Sequence, residues 1–173
     1  MSASRASLRV AILTVSDGVS AGAREDRGGP AVAEAIARSG IEHRVVFRGT
    51  IPDGADAVAR AVRERAEADD ADLVVLTGGT GVAPRDRTPE GVRAVLDLEI
   101  PGLAEKMRAD TGRGFPAAYL SRQVVGIARR TLVVALPGSP KGAADCLAAI
   151  LPLLPHAVAL ARGERPEHPG ASG

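Results

Sequence analysis

Three aspartates and three glycine-bearing turns give this sequence its chemistry. Asp17, Asp53 and Asp86 each stand a few residues past an apolar stretch. Near them lie the turns Thr14-Val15-Ser16-Asp17-Gly18, Thr77-Gly78-Gly79-Thr80-Gly81 and Pro137-Gly138-Ser139-Pro140-Lys141-Gly142. Glycine lets backbone N–H groups approach an anion because no Cβ intervenes. In the third turn Ser139 suits a helix cap and Pro140 the first helical position, so free helix N–H groups face whatever lies ahead of them. Several carboxylates around a phosphate repel it unless a hard cation such as Mg²⁺ bridges them. These residue types point to a phosphate-bearing ligand with a divalent metal. Ser121 and Arg122 add a hydroxyl and a guanidinium suited to a phosphate or a carbonyl.

Other chemistries lack their residues. No G-x-x-x-x-G-K-[ST] loop occurs, and no G-x-G-x-x-G opens the first helix, so neither a P-loop nor a nicotinamide site is supported. His43, His156 and His168 are scattered without metal-ligand spacing. There is no G-x-S-x-G elbow for a serine nucleophile. The single cysteine, Cys146, falls in an apolar helical run and reads as a packed, inert thiol.

The elements that must position the turns follow from periodicity. Leu8 to Val15 is a near-continuous apolar run, the mark of a strand covered on both faces. A second strand spans Ile41 to Thr50 and a third Asp72 to Thr77, each preceded by a helical pattern. Pro30 opens the first helix, Asp53 is placed to cap the second, and Thr88 to cap the next, with Pro89 in its first turn and Glu90 at the positive end of its dipole. This alternation implies βαβ units and a parallel sheet, with ligands outside the carboxyl ends of the strands. A short helix carries Leu103 and Met107, and Thr111 to Tyr119 reads as irregular. Gln123 to Ala128 and Thr131 to Leu136, separated only by Arg129-Arg130, predict a hairpin and hence one antiparallel strand. The last helix runs through Cys146, Leu147, Ile150 and Leu151, with a bend at Pro152 or Pro155.

Composition narrows the function classes. The chain has 173 residues, 45% of them hydrophobic, which fits one globular domain. Aromatic residues are 2%, which argues against stacking platforms for single-stranded nucleic acid. A net charge of +1 with interspersed signs offers no footprint for nucleic acid or a membrane surface. No run approaches transmembrane length and no signal-peptide core precedes the first strand, so a cytoplasmic location is expected. Residues 1–7 read as a disordered tail, 8–163 as a single α/β domain, and 164–173 as a flexible tail.

One set of motifs, in order, resembles a known family. It comprises Thr14-Val15-Ser16-Asp17, Asp26-Arg27, Ile51-Pro52-Asp53, Thr77-Gly78-Gly79-Thr80-Gly81, Pro84-Arg85-Asp86-Arg87-Thr88-Pro89-Glu90, Pro101-Gly102, Leu120-Ser121-Arg122 and Leu136-Pro137-Gly138-Ser139-Pro140-Lys141. The set is similar to the Mog/MoaB family, the molybdopterin adenylyltransferases of molybdenum cofactor biosynthesis, related to the G domain of gephyrin. The resemblance spans about Leu8 to Gly163. It implies a three-layer α/β/α domain with a mostly parallel sheet, assembled as a homotrimer or hexamer. It implies that molybdopterin and ATP react with Mg²⁺ to give adenylyl-molybdopterin and pyrophosphate, the pterin then passing to a molybdenum-insertion enzyme. It places Asp53 and Asp86 as catalytic and metal-holding residues. It assigns nucleotide or pterin binding to Thr14, Ser16, Asp17, Thr77, Gly78, Gly79, Thr80, Gly81, Ser121, Arg122, Pro137, Gly138, Ser139, Pro140 and Lys141. The alternative is a MoaB-type carrier or scaffold that holds the pterin without the transferase reaction. The chain departs from many relatives at Gly28, where they carry serine after Asp-Arg.

Overall fold

Leu8–Val15 (β1), Leu73–Thr77 (β3) and Thr131–Leu136 (β6) are apolar at almost every position because helices cover both faces of the sheet they form. The computed structural model describes residues 7–164. The two expected tails, apart from Ser7 and Glu164, and His168 lie outside the described residues.

The remaining elements, in chain order, are α1 (Asp17–Ser20), α2 (Gly28–Arg38), β2 (His43–Ile51), α3 (Ala55–Ala68), α4 (Thr88–Arg93), β4 (Leu98–Glu99), α5 (Pro101–Gly112), β5 (Val125–Ala128), α6 (Pro140–Ile150) and α7 (Leu154–Ala161). The sheet order is β2-β1-β3-β6-β5-β4. β1 is parallel to β2 and β3, and β3 to β6. Only β5 runs against the rest, antiparallel to both β6 and β4. Successive strand residues alternate between two cores. Val10, Ile12, Leu73, Val75, Leu132 and Val134 meet Val32 and Ile36 of α2, Met107 of α5 and Leu147 and Ile150 of α6. Ala11, Leu13, Val74, Leu76 and Val133 meet Val58 and Val62 of α3 and Val92 of α4. The expected three-layer α/β/α architecture, with its hairpin and single reversed strand, is the one observed.

Several expected details differ. α2 begins at Gly28, not Pro30. Leu98–Glu99 forms an edge strand that the sequence did not suggest, because both residues are exposed and two positions carry no periodicity. The stretch expected to be irregular holds the last turn of α5 and a 3₁₀ helix, Pro116–Leu120. The run Pro140–Ala161 is, at 22 residues, long and apolar enough by composition to cross a membrane. It is interrupted by a 3₁₀ turn at Leu151–Leu153, and its Cys146, Leu147, Ile150, Leu154 and Val158 are buried in the domain core. The outer edge strand β2 carries exposed Arg44 and Arg48, charges that blunt strand addition.

Asp72 locks the end of the sheet opposite the turns. It is 2% exposed and accepts the Arg9 backbone N–H at 2.9 Å, Arg9 Nε at 3.0 Å and Arg9 Nη2 at 2.6 Å. Arg162, just past α7, donates to the same carboxylate, so Asp72 joins β1, β3 and the end of α7. Replacing Asp72 by alanine removes the buried carboxylate shared by two guanidiniums and is expected to cost about 3 kcal/mol. The expected readout is a lower urea midpoint with an unchanged slope.

Candidate functional site

The chain leaves β1 towards β2 and leaves β3 towards β6, so the strand order reverses between β1 and β3. Ligands of open α/β sheets bind outside the carboxyl ends at such a switch point. The register pairs Thr14 with Thr77 and Thr77 with Leu136, which puts the three predicted turns on one rim. Val15 pairs with Ile51, which brings Asp53 to the same rim.

Backbone packing between the turns demands glycine. Gly78 has φ +116°, and a Cβ there would overlap the Val15 carbonyl oxygen. Its N–H donates to Leu136 O at 3.1 Å, and a Cβ on Gly138 would stand 3.2 Å from its Cα. Gly79 has φ +64°, against the Thr88 hydroxyl. Thr77 Oγ1 donates to Pro137 O at 2.7 Å, tying the second turn to the third. Thr88 does not cap α4 as expected. Arg87 occupies the cap position without a side-chain bond. Buried Thr88 instead donates to Gly78 O at 2.8 Å, and its N–H to Gly79 O at 3.0 Å. A tertiary partner has outcompeted the local cap.

The carboxylates are held by backbone N–H groups. Asp17 N–H donates to Asp53 Oδ2 at 3.0 Å, and Asp53 N–H returns the bond to Asp17 Oδ1 at 3.1 Å. Asp53 therefore does not cap α3, whose cap position is Gly54 at φ +127°. Its other oxygen, Oδ1, lies 3.6 Å from where a Gly79 Cβ would be. Asp86 Oδ2 accepts from Ala83 N at 2.9 Å and lies 2.7 Å from the position of a Gly81 Cβ. Two carboxylates thus border the glycines of one loop. Arg85 pairs with Asp17 across the mouth. Among the described residues no three His, Cys, Asp or Glu side chains form a metal-binding cluster.

The other predicted site residues divide by what they touch. Ser121 Oγ is 2.9 Å from Thr80 Oγ1, and Arg122 N–H donates to Thr80 O at 2.7 Å. The Arg122 guanidinium donates from Nε to Gly81 O at 2.8 Å, from Nη2 to Asp86 O, and from Nη1 to Glu90. Thr14 is buried, with its hydroxyl 3.0 Å from each Asp26 oxygen, and Asp26 also accepts from Gly29 N at 3.0 Å. Ser16 accepts from Val19 N at 3.3 Å and caps α1. Ser139 accepts from Gly142 N at 3.2 Å and caps α6, with Pro140 in the first turn, as expected. Lys141 lies along α6, paired with Asp145 at 2.5 Å. Gly28 is buried, and a Cβ there would stand 2.9 Å from Thr77 Cγ2. A serine at this position would have to displace a side chain that Pro137 O holds.

Asp26, Arg85 and Glu90 are contributors that residue typing alone did not assign to the site. Burial of Glu90 opposes its ionisation, but the hydrogen bond from Arg122 and the fields of Arg122 and Arg87 outweigh it, and the carboxyl titrates below its ordinary range. A carboxyl with a depressed folded-state value gives stability that is complete above the ordinary glutamate range and lost as pH falls through the depressed value. Glu90→Gln should remove that part of the acid dependence, which urea midpoints from neutral to acidic pH would reveal. Burial raises the Cys146 thiol, so it stays protonated at neutral pH. Native protein should resist alkylation by iodoacetamide, and denatured protein should react fully.

Comparison with known proteins bears on this arrangement. Residues 11–156 match the family model described as "Probable molybdopterin binding domain". The molybdopterin adenylyltransferase of Helicobacter pylori is 35% identical over 156 residues, 90% of this chain and 89% of that protein. That of Escherichia coli K12 is 36% identical over 140 residues, 81% of this chain and 72% of that protein. The crystal structure of the molybdopterin biosynthesis enzyme MoaB from Thermus thermophilus is similar with a TM-score of 0.84 and 47% identity, covering 91% of this chain and 98% of that one.

Proposed function

Because the chain belongs to the molybdopterin-binding-domain family of molybdenum cofactor biosynthesis, we propose that it is a Mg²⁺- and ATP-dependent molybdopterin adenylyltransferase. The observation that carries this reading is the rim itself. Asp53 and Asp86 face the glycines of one turn at the switch point, where N–H groups can receive phosphate. In the proposed reaction an oxygen of the molybdopterin phosphate bonds to the α-phosphorus of ATP. The bond from that phosphorus to the bridging oxygen breaks, and pyrophosphate leaves with the electron pair. Such transfers depend mostly on positioning and charge neutralisation.

The residues present fit Mg²⁺. The ion is commonly held by one or two carboxylates together with substrate phosphates, so a three-carboxylate cage is not required. Asp53 and Asp86 would hold it, and it would offset charge on the transferred phosphoryl group. The backbone from Gly78 to Gly81 would receive phosphate oxygens, and the capped N-terminus of α6 would supply a second set of donors. The Asp17–Asp53 bond pair fixes the Asp53 carboxylate before substrate arrives. The same proposal includes a cytoplasmic homotrimer or hexamer, which sedimentation would read as multiples of 17.7 kDa.

The test is pyrophosphate release from ATP and Mg²⁺ with and without purified molybdopterin. Release that requires the pterin is expected, and Asp53→Asn or Asp86→Asn should lower it by a factor of about 100 or more. A second reading is a pterin carrier without transferase activity, motivated by the 47% identity to a MoaB protein. Pterin binding without release of pyrophosphate would establish it and exclude the first.

A further inference from the structure

Each nitrogen of the guanidinium expected to meet a substrate phosphate donates to a protein oxygen, which uses three of its five N–H groups. Arg122 Nε, Nη2 and Nη1 go to Gly81 O, Asp86 O and Glu90. Gly81 and Asp86 bound a six-residue segment of the loop between β3 and α4. One planar group therefore closes that segment at both ends. Glu90, in the first turn of α4, fixes the guanidinium from the far side with its Oε1, while its Oε2 is buried without a partner among the described residues. The backbone N–H of Arg122 and the hydroxyl of Ser121 hold Thr80. Asp86 follows from this geometry. Its carboxylate accepts from Ala83 N and stands 2.7 Å from where a Cβ on Gly81 would be, and both residues belong to the 81–86 segment that the guanidinium closes.

We propose that Arg122, anchored by Glu90, is a positioning residue that clamps the 81–86 loop and so sets where the Asp86 carboxylate stands, and that it does not bind substrate phosphate. The catalytic consequence rests on the transferase reading above; the clamp itself does not. The fork of a guanidinium can serve three acceptors in one plane, whereas an ammonium is a point charge on a flexible stem. Lysine at this position should fail as a substitute. A carboxylate displaced by about 1 Å costs on the order of 100-fold in rate.

The variants are Arg122→Ala, Arg122→Lys and Glu90→Gln, examined as the full chain by pyrophosphate-release kinetics and by amide hydrogen exchange across 79–88. The expected result is a kcat lower by about 100-fold in both arginine variants with KM for ATP within about twofold. Millimolar guanidinium should restore part of the kcat of Arg122→Ala, and ammonium should not. Exchange at 79–88 should quicken in both arginine variants while the core strands keep their protection, with a smaller effect in Glu90→Gln. A raised KM for ATP at undiminished kcat would overturn the inference, since it would mean that Arg122 holds the nucleotide. Unchanged exchange at 79–88 in Arg122→Ala would overturn it as well. If the wild type releases no pyrophosphate, the transferase reading fails, and the exchange measurement alone decides the clamp.

Discussion

Gly78 lies so close to the Val15 carbonyl oxygen that any side chain would overlap it. The rest of the site depends on that approach. With the first and second turns in contact there, the Gly78 N–H reaches Leu136 O and the third turn closes against it through Gly138. Three strand ends thereby become one surface. The parallel register makes the alignment available, and the absence of a Cβ lets the turns use it. Alanine could neither avoid the clash nor readily adopt φ +116°.

Around that contact the rim is laced by side chains that tie the loops to one another. Thr77, Thr88, Thr14 and Ser121 each spend a hydroxyl on the loops: Thr77 and Thr88 on backbone carbonyls, Thr14 on Asp26 and Ser121 on Thr80. Net hydrogen bonds contribute only about 1 kcal/mol each, so their value here lies in geometry more than in stability. A site for phosphoryl-type chemistry gains from carboxylates that are already in place. Asp53 is fixed by the Asp17 N–H, and Asp86 by Ala83 and the loop that Arg122 encloses.

The architecture was legible in the sequence because its signals are non-local in effect but local in pattern. Near-continuous apolar runs marked β1, β3 and β6, and the two-residue Arg129-Arg130 spacer marked the hairpin. The rim was legible for the same reason, since each turn directly follows a strand. Partners were harder to read. Thr88 and Asp53 have the types and positions of helix caps, and only the fold reveals that Gly78 and Asp17 lie within their reach. The three acceptors of Arg122 left no mark in the sequence, because they sit 32 to 41 residues away. The i, i+4 pairing of Lys141 with Asp145 along α6 is likewise a contact that residue type alone did not announce. β4 left no trace, as two exposed residues have no pattern to show.

In the proposed reaction this rim joins a nucleotide to a pterin. The measurement that tests it most directly is a single turnover with ATP labelled on its α-phosphate, molybdopterin and Mg²⁺, with enzyme in excess. The label is expected to move onto the pterin in equal amount with the pyrophosphate formed. Label recovered only as free AMP would mean hydrolysis without transfer, and would contradict it.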